Sequence, residues 1–260
     1  MLADRFSRAF YLLIVLLFIF GCDDDSEDPV VKNCRIKEMY HDGPSQYTYK
    51  FHYNNDGSLN SIASPNISWS YEYQNGKLKT IVVKTASNVG TVTYQYPTDK
   101  LITWTSSSAD NRIYKLYHTG DKVDSMIVSD APTGQTPLEF YSYPTYVANN
   151  VQTVNSGGGC CVYDIADVEY DNGLNPATLL RKSTGAFTGQ DMMAYEFFNF
   201  SPDQLSENNP TRYKMSGSNS ALFEFEYTYA KQGSYPLTVS EYYDGTLNGM
   251  TTNFVYEHCD

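Results

Sequence analysis

An alternation of aromatic and polar residues that ends in a glycine turn recurs along this 260-residue chain and restricts the folds open to it. The clearest copy runs from Phe51 to Ile62 and contains Asp56-Gly57, and a second runs from Tyr71 to Ile81 and contains Asn75-Gly76. Asp-Gly and Asn-Gly supply the positive backbone angles of a tight turn between antiparallel strands. Each copy therefore predicts a β-hairpin, in which a Leu-Xaa-Xaa-Ile stretch begins the return strand.

The aromatic residues of these segments recur at every second position, which is the period of a β-strand. Segments 47–53, 69–73 and 223–229 place Tyr, Phe or Trp on one face and Thr, Ser, Lys, His or Glu on the other. The chain holds 24 Tyr, 13 Phe and 2 Trp, so such stripes can run through most of its strands. This alternation indicates an antiparallel sheet with one covered side.

The number of hairpin segments limits the shape of that sheet. They predict about 14 strands, and an antiparallel sheet beyond about ten strands curls or closes on itself. Long helical periodicity is absent. We therefore predict an all-β domain, a large antiparallel meander that forms either a strongly curved sheet or a closed barrel.

Residues 1–21 have the organisation of a secretory signal peptide. Two arginines precede an apolar run from Tyr11 to Phe20, and Gly21-Cys22 ends the run. The run is too short for a spanning helix, which needs about 20 apolar residues. The string from 19 to 22 resembles a lipobox, a signal in which the cysteine is lipidated and becomes the first residue of the mature protein. An ordinary signal peptide cleaved near a cysteine is the alternative.

Residues 22–32 form an acidic segment, and 33–260 are predicted to fold as a single β domain. The run from Asp23 to Asp28 is typical of a disordered tether. It also resembles the acidic export tract of surface lipoproteins in the Bacteroidota. We therefore expect a lipid anchor on Cys22 that holds the protein on the outer membrane without crossing it. The resemblance implies exposure at the cell surface, with exposure to the periplasm as the alternative.

Two resemblances concern the repeat itself. The copy that starts at Phe51 is similar to the Tyr-Xaa-Tyr-Asp-Xaa-Xaa-Gly-Arg-Leu pattern of YD (RHS-type) repeats, with Asn54 in place of Asp and Ser58 in place of Arg. The chain from about residue 22 onward more closely resembles a group of Bacteroidota lipoproteins with a porin-like β fold and no assigned activity. The segment from Tyr170 to Pro176 is similar to an Asp…Asn-Pro loop of that group. The resemblance implies a location and a porin-like barrel, and it carries no catalytic residue.

Four cysteines remain beside Cys22, and an oxidising compartment permits disulfides among them. Three full pairings are open. A bond between Cys34 and Cys259 fits a barrel whose first and last strands are neighbours; a buried free thiol and a frayed C-terminus are the alternatives. Cys160 and Cys161 follow three glycines, and neighbouring side chains on a strand point to opposite faces, so we expect one buried and one exposed thiol. A vicinal disulfide, or pairing with another cysteine, is the alternative.

Composition and motifs argue against several classes of function. The net charge of −12 repels phosphate backbones, so we expect no nucleic-acid partner. The four histidines have no partner at zinc spacing, and neither a nucleophile elbow nor a phosphate-binding loop is present. We therefore assign no catalytic residue, no metal ligand and no cofactor, and we expect that the protein is not an enzyme.

Two functional hypotheses remain. In the first, the protein is a surface lipoprotein that binds a ligand, with glycans as the leading class because sugars stack on aromatic rings. Trp69, Tyr71, Tyr73 and Trp104 are the candidate ligand-face residues, and the alternative is that they belong to a covered core. In the second hypothesis, the protein is a structural or protein-interaction component of an outer-membrane assembly.

The lipid anchor gives the first testable prediction. Changing Cys22 to Ser removes the thiol that accepts the lipid, so the protein should leave the membrane fraction when cells are fractionated. Changing Cys34 to Ser is the matched control and should leave the protein in the membrane fraction. Retention of the Cys22→Ser protein with the membranes would contradict the predicted anchor.

Overall fold

The computed structural model describes residues 34–42, 48–107, 112–130, 140–158, 162–185, 202–217 and 222–259. The predicted signal peptide, the lipidation site Cys22, the acidic tether, Cys160 and Cys161 lie outside the described residues. One compact unit extends from Cys34 to Cys259.

Sixteen strands occur in the described residues. They are β1 (Arg35–Asp42), β2 (Thr48–Tyr53), β3 (Leu59–Ala63), β4 (Ile67–Gln74), β5 (Lys77–Thr85), β6 (Val89–Thr98), β7 (Leu101–Ser106), β8 (Arg112–Thr119), β9 (Lys122–Asp130), β10 (Phe140–Val147), β11 (Asn150–Gly157), β12 (Tyr163–Leu174), β13 (Asn208–Gly217), β14 (Leu222–Gln232), β15 (Tyr235–Tyr243) and β16 (Thr246–Glu257). Each strand pairs antiparallel with its neighbours in sequence, and β1 pairs with β16, so the sheet is a closed barrel. The predicted fold class is confirmed, with sixteen strands instead of about 14.

Two short helices interrupt the meander between β12 and β13, namely α1 (Pro176–Thr184) and α2 (Pro202–Leu205). Asn175 caps α1, because its Oδ1 accepts a hydrogen bond from the Ala177 N–H at 3.0 Å, and Pro176 begins the first turn. Gly185 ends the helix with a φ of 62°. The hairpin periodicity gives no sign of α1, whereas Asn-Pro before it and Gly after it are recognisable start and stop signals. Among the described residues, neither helix has the length and apolar character needed to cross a membrane.

The aromatic stripes face the interior of the barrel. On β4, Trp69 and Tyr71 are buried, whereas Ser70 and Glu72 are exposed on the outer wall. The same alternation continues around the barrel, and the inward side chains join one hydrophobic core. The covered side predicted from the sequence is therefore the inside of the barrel, and the polar side is its outer wall.

The Leu-Xaa-Xaa-Ile stretch of the repeat departs from the period of two for a structural reason. Beside Tyr53 and Tyr73, the strand pairing shifts by one residue, which is a β-bulge. The shift lets Leu59 and Ile62, three positions apart on β3, both point inward, and each is almost fully buried. The same shift and the same spacing recur on other strands that leave this end of the barrel, at Leu78/Ile81, Val123/Met126 and Val151/Val154.

A set of tyrosines, here called the tyrosine belt, joins neighbouring strands by hydrogen bonds at the end of the barrel where β1 begins and β16 ends. Each belt tyrosine lies toward the end of an even-numbered strand. Its hydroxyl forms a hydrogen bond with the backbone near the start of the preceding odd-numbered strand. Tyr96, for example, donates to the Leu78 carbonyl at 2.8 Å. The members in the described residues are Tyr53, Tyr73, Tyr96, Tyr146, Tyr170, Tyr229 and Tyr256. On β8, His118 takes the corresponding place, and its Nδ1 lies 3.0 Å from the Gly120 carbonyl oxygen.

A disulfide joins Cys34 and Cys259 at this same end, with their Cα atoms 4.3 Å apart. Next to it, Arg35 Nε donates to Glu257 Oε1 at 2.7 Å, and the Arg35 guanidinium lies 4.5 Å from the centre of the Tyr53 ring. The covalent bond and the ion pair therefore both span the seam where β1 meets β16.

The tyrosine belt predicts that the loss of a single hydroxyl lowers the free energy of unfolding. Changing Tyr96 to Phe leaves the Leu78 carbonyl without its donor, so the free energy of unfolding should fall by about 1 kcal/mol in denaturant titrations. Tyr117→Phe is the matched control, because Tyr117 lies exposed on the outer wall. Its loss should cost less than about 0.5 kcal/mol.

The same variant should respond differently to pH. Burial raises the pKa of Tyr96 to about 12, above its ordinary value of 10.0. A pKa that is higher in the folded state supplies stability below pH 10, and this stability is lost as the pH rises toward about 12. Over that range the Tyr96→Phe protein should therefore lose less unfolding free energy than the wild type; an equal loss would contradict the role assigned to the hydroxyl.

Candidate functional site

A cavity of about 270 Å³ lies inside the barrel, between helix α1 and the inner face of strands β1–β4 and β13–β16. The inward side chains of this part of the wall are less covered than those elsewhere: Phe225, Tyr227 and Phe254 are only partly buried, whereas Leu78 and Val123 have no solvent exposure. We call this space the lumen cavity.

Most of the lining of the lumen cavity is aromatic or aliphatic. The aromatic residues that line it are Tyr49, Trp69, Tyr227, Tyr229 and Phe254. The aliphatic and proline side chains are Met39, Ile62, Val239, Pro210, Pro176 and Leu180. Such a lining favours a ligand with an apolar body that can pack against ring faces.

Ala177 and five polar residues make up the rest of the described lining; the polar residues are Asn175, Gln204, Asn209, Glu241 and Thr252. Among these described residues, Glu241 is the charged one. Asn175 already uses its amide for structure: it caps α1, and its Nδ2 donates to the Ser206 carbonyl at 3.2 Å. By contrast, Asn209 Oδ1 and Gln204 Oε1 are buried side-chain oxygens without a hydrogen-bond partner.

A network centred on Asp171 fixes the position of Asn209. Asp171 Oδ1 accepts from Asn209 Nδ2 at 3.2 Å and from the Gly173 N–H at 2.6 Å, and Asp171 Oδ2 forms an ion pair with Lys231. Gly173 leaves room for this arrangement, since a Cβ there would lie 2.3 Å from Asn209 Nδ2. The Asp…Asn-Pro segment singled out in the sequence therefore holds Asn209 at the cavity wall.

Helix α2 is held in place by Arg181 of α1. The guanidinium donates to the carbonyls of Gln204 at 3.0 Å and Leu205 at 2.9 Å, and to Thr178 Oγ1 at 3.0 Å. Burial lowers the pKa of Arg181 from its ordinary value. These bonds fix the backbone of Gln204, whose side chain lines the cavity.

The structure separates the four aromatic residues that the sequence analysis nominated as a ligand face. Trp69 lines the lumen cavity, with 4% of its surface exposed. Trp104 is buried and stacks with the rings of Tyr94 and Tyr114 on the flanking strands, at centroid distances of 5.9 and 5.1 Å. Tyr71 is buried in the core, and Tyr73 belongs to the tyrosine belt, where it donates to the Leu59 carbonyl.

A second cavity of about 340 Å³ lies beside His118, the residue that replaces a belt tyrosine. Its polar lining includes Asp121, Thr178, Arg181 and Lys182. Arg181 is already bonded to α2, so this cavity mainly surrounds the attachment of the helices to the wall. Within the described residues, no group of three or more His, Cys, Asp or Glu side chains is placed to hold a metal ion.

Comparisons with known proteins concern the fold. No known protein family and no curated protein matches the chain. The crystal structure of a porin-like protein from Bacteroides uniformis ATCC 8492 matches with a TM-score of 0.54 at 12% identity, over 85% of this chain and 96% of that chain. A porin-like protein from Bacteroides vulgatus ATCC 8482 matches with a TM-score of 0.44 at 12% identity, over 86% of this chain and 99% of that chain. At this identity, the likeness to the B. uniformis protein shows a shared fold and nothing finer.

The close approach at Gly173 gives a prediction about stability. Changing Gly173 to Ala should lower the free energy of unfolding by about 1–3 kcal/mol, because the new methyl group overlaps the Asn209 amide. Gly217→Ala is the matched control, since a Cβ at Gly217 meets no atom within 4 Å. In denaturant titrations, the Gly173→Ala/Asn209→Ala double variant should lose less free energy of unfolding than the two single variants lose in sum. If the losses of unfolding free energy simply add, the predicted overlap between the new methyl group and the Asn209 amide is wrong.

Proposed function

We propose that this protein is a lipid-anchored envelope protein that holds a small amphipathic ligand inside its barrel. The observation that carries the proposal is the lumen cavity, an aromatic-lined space of about 270 Å³ with a few polar groups in its wall. Clefts with this mixture of apolar walls and sparse polar groups are the usual form of small-molecule sites. The signal peptide and Cys22 supply the anchor in this proposal, and the fold shared with a porin-like Bacteroides protein agrees with an envelope location.

The outer wall supports a ligand-binding barrel over a pore that spans the bilayer. A lipid-facing barrel wall presents an apolar band about 25 Å tall, and charged groups at its middle are costly. Here an ion-pair network crosses the outer faces of β12, β13 and β14: Arg212 pairs with Glu224 and Glu169, and Lys214 pairs with Asp167 at 2.9 Å. Water is the natural surrounding of such a wall.

The interior of the barrel also differs from that of a channel, because it is apolar and filled with side chains. Porins of 16 to 18 strands enclose a polar, water-filled lumen. In this barrel, the lumen holds buried Leu, Ile, Val, Trp and Tyr side chains, and Leu180 of α1 and Leu205 of α2 belong to the same core. The described interior therefore favours storage of a ligand over passage of solutes.

The nature of the lining also ranks the ligand classes. A glycan would need exposed ring faces and many polar partners, and Trp104 stacks with tyrosines on both flanking strands. Trp69 and the other rings that line the lumen cavity form an apolar wall against which a compact ligand with an apolar body can pack. We therefore rank an amphipathic small molecule ahead of a glycan, and the experiment below tests both.

The alternative, a component of an outer-membrane assembly, would most readily use an open sheet edge. Pairing of β1 with β16 closes the described sheet, so it offers no edge for strand addition. The ligand-binding proposal is consequently the stronger of the two.

Filling the lumen cavity tests the proposal. Ala177 lines the cavity, so Ala177→Phe should reduce the affinity for a neutral amphiphile such as phenylbutanol at least about tenfold. Ala230→Phe on the outer wall is the matched control and should leave the affinity unchanged. Binding is measured by calorimetry on the lipoprotein in dodecyl maltoside, with titrations into empty micelles subtracted and folding checked by thermal melting.

Two outcomes of this experiment would overturn the proposal. Equal binding by the Ala177→Phe and wild-type proteins would place the ligand outside the lumen. Saturable binding of neutral oligosaccharides, without any binding of phenylbutanol, would restore the glycan hypothesis.

A further inference from the structure

Two residues that line the lumen cavity each carry an acceptor that the fold itself leaves unused. Asn209 is 1% exposed, and its Oδ1 is buried without a hydrogen-bond partner; Gln204 Oε1 is in the same situation. Both residues line the lumen cavity. A buried polar atom without a partner is costly, and native proteins rarely keep one without a reason.

The orientation of the Asn209 amide is fixed by its neighbour. An ionised carboxylate accepts hydrogen bonds and cannot donate them, so the group that contacts Asp171 Oδ1 at 3.2 Å must be the Asn209 NH₂. The other carboxylate oxygen, Asp171 Oδ2, pairs with the Lys231 ammonium. Rotating the amide would set two acceptors against each other, and the carbonyl oxygen of Asn209 therefore remains as the unused group.

The cations near these acceptors are already paired. Among the described residues that line the lumen cavity, Glu241 is the charged one, while Arg181 and Lys231, which lie close by, bind the backbone of α2 and the Asp171 carboxylate. The chain as a whole carries a net charge of −12, which attracts cations toward the protein. A carboxylate on the ligand would meet further acceptors, whereas an ammonium carries N–H donors that such acceptors can bind.

We infer that the ligand of the lumen cavity is an amphipathic amine, whose ammonium group donates hydrogen bonds to Asn209 Oδ1 and Gln204 Oε1. Its apolar body packs against Trp69, Tyr227 and Phe254. This inference rests on the proposed function of the lumen cavity and specifies the chemistry of the group that it recognises.

Three ligands with a common phenylalkyl body test the inference. Phenylbutylamine carries a charged donor, phenylbutanol carries a neutral donor, and phenylpropyl methyl ether is an isomer of phenylbutanol without a donor. Calorimetry on the wild-type lipoprotein in dodecyl maltoside should rank the amine first and the ether last. The amine should bind at least about tenfold more tightly than the ether, as expected for hydrogen bonds to a charged group.

Variants assign the preference to the two acceptors. Gln204→Met keeps the size of the side chain and removes the acceptor, so the ratio of amine to ether affinity should fall by about threefold or more. Asn209→Ala should reduce it similarly, and Gln204→Met preserves the test if Asn209→Ala impairs folding. Asn155→Ala on the outer wall is the matched control and should leave the ratio unchanged.

The outcomes separate this inference from the proposed function. Equal affinities for all three ligands would overturn the donor requirement and leave a lumen that binds amphiphiles, with water satisfying the acceptors. A preference for the amine that persists in both variants would also overturn the inference, because the recognition would then lie elsewhere. If none of the three ligands binds, both the inference and the proposed function are wrong.

Discussion

A barrel of sixteen strands encloses more space than the side chains of its own wall can fill, and the structure depends on how this space is occupied. Membrane pores of this size leave the space to water. This chain fills it with the aromatic stripes of its hairpins and with a short helical insertion after β12. Beside β13–β16 the described residues leave a space next to the helix. The candidate site is therefore a direct result of the mismatch between the size of the barrel and its contents.

Polar groups inside such an interior must form hydrogen bonds or ion pairs with one another, and the segment around Asp171 does so. Its carboxylate binds an amide, a backbone N–H and an ammonium, and the next residues lead into the cap of α1. At Asn209, which lines the cavity, one end of the amide is used by the fold and the other is buried without a partner. Sites built in this way gain precision, because the neighbours of the recognising atom prevent it from turning.

The sequence was sufficient for the architecture and insufficient for the site. Alternation of period two and the Asn75-Gly76 type of turn predict hairpins, and their number predicts a sheet that curls or closes. The alternation also predicted that the aromatic face of the sheet is covered. It did not determine that this face is the inside of a closed barrel. The number of strands was underestimated, because strands such as β7 and β13 lack the Tyr-Xaa-Tyr signature.

The site depends on contacts between residues that are far apart in sequence, which no local pattern reveals. Asn209 and Asp171 are 38 positions apart, and Gln204 enters the cavity only because Arg181 binds the backbone of α2. The start and stop signals of α1 were legible in Asn175-Pro176 and Gly185. Nothing in those signals shows that the helix turns into the barrel. Of the nominated aromatic residues, Trp69 lies at the cavity because of its place on β4, which its residue type alone does not determine.

The meeting of β1 with β16 has a consequence for the architecture as a whole. With Cys34 and Cys259 4.3 Å apart at Cα, the path of the chain through the described barrel almost closes into a circle, and the hairpins follow one another around it. A closed ring of hairpins can begin at any of its turns. A circular permutant opened at Asn75-Gly76 and rejoined across the seam between β1 and β16 therefore retains every pair of neighbouring strands. Adding or removing one hairpin alters the circumference and therefore the volume enclosed, which makes the repeat count a means of adjusting the interior to guests of different size.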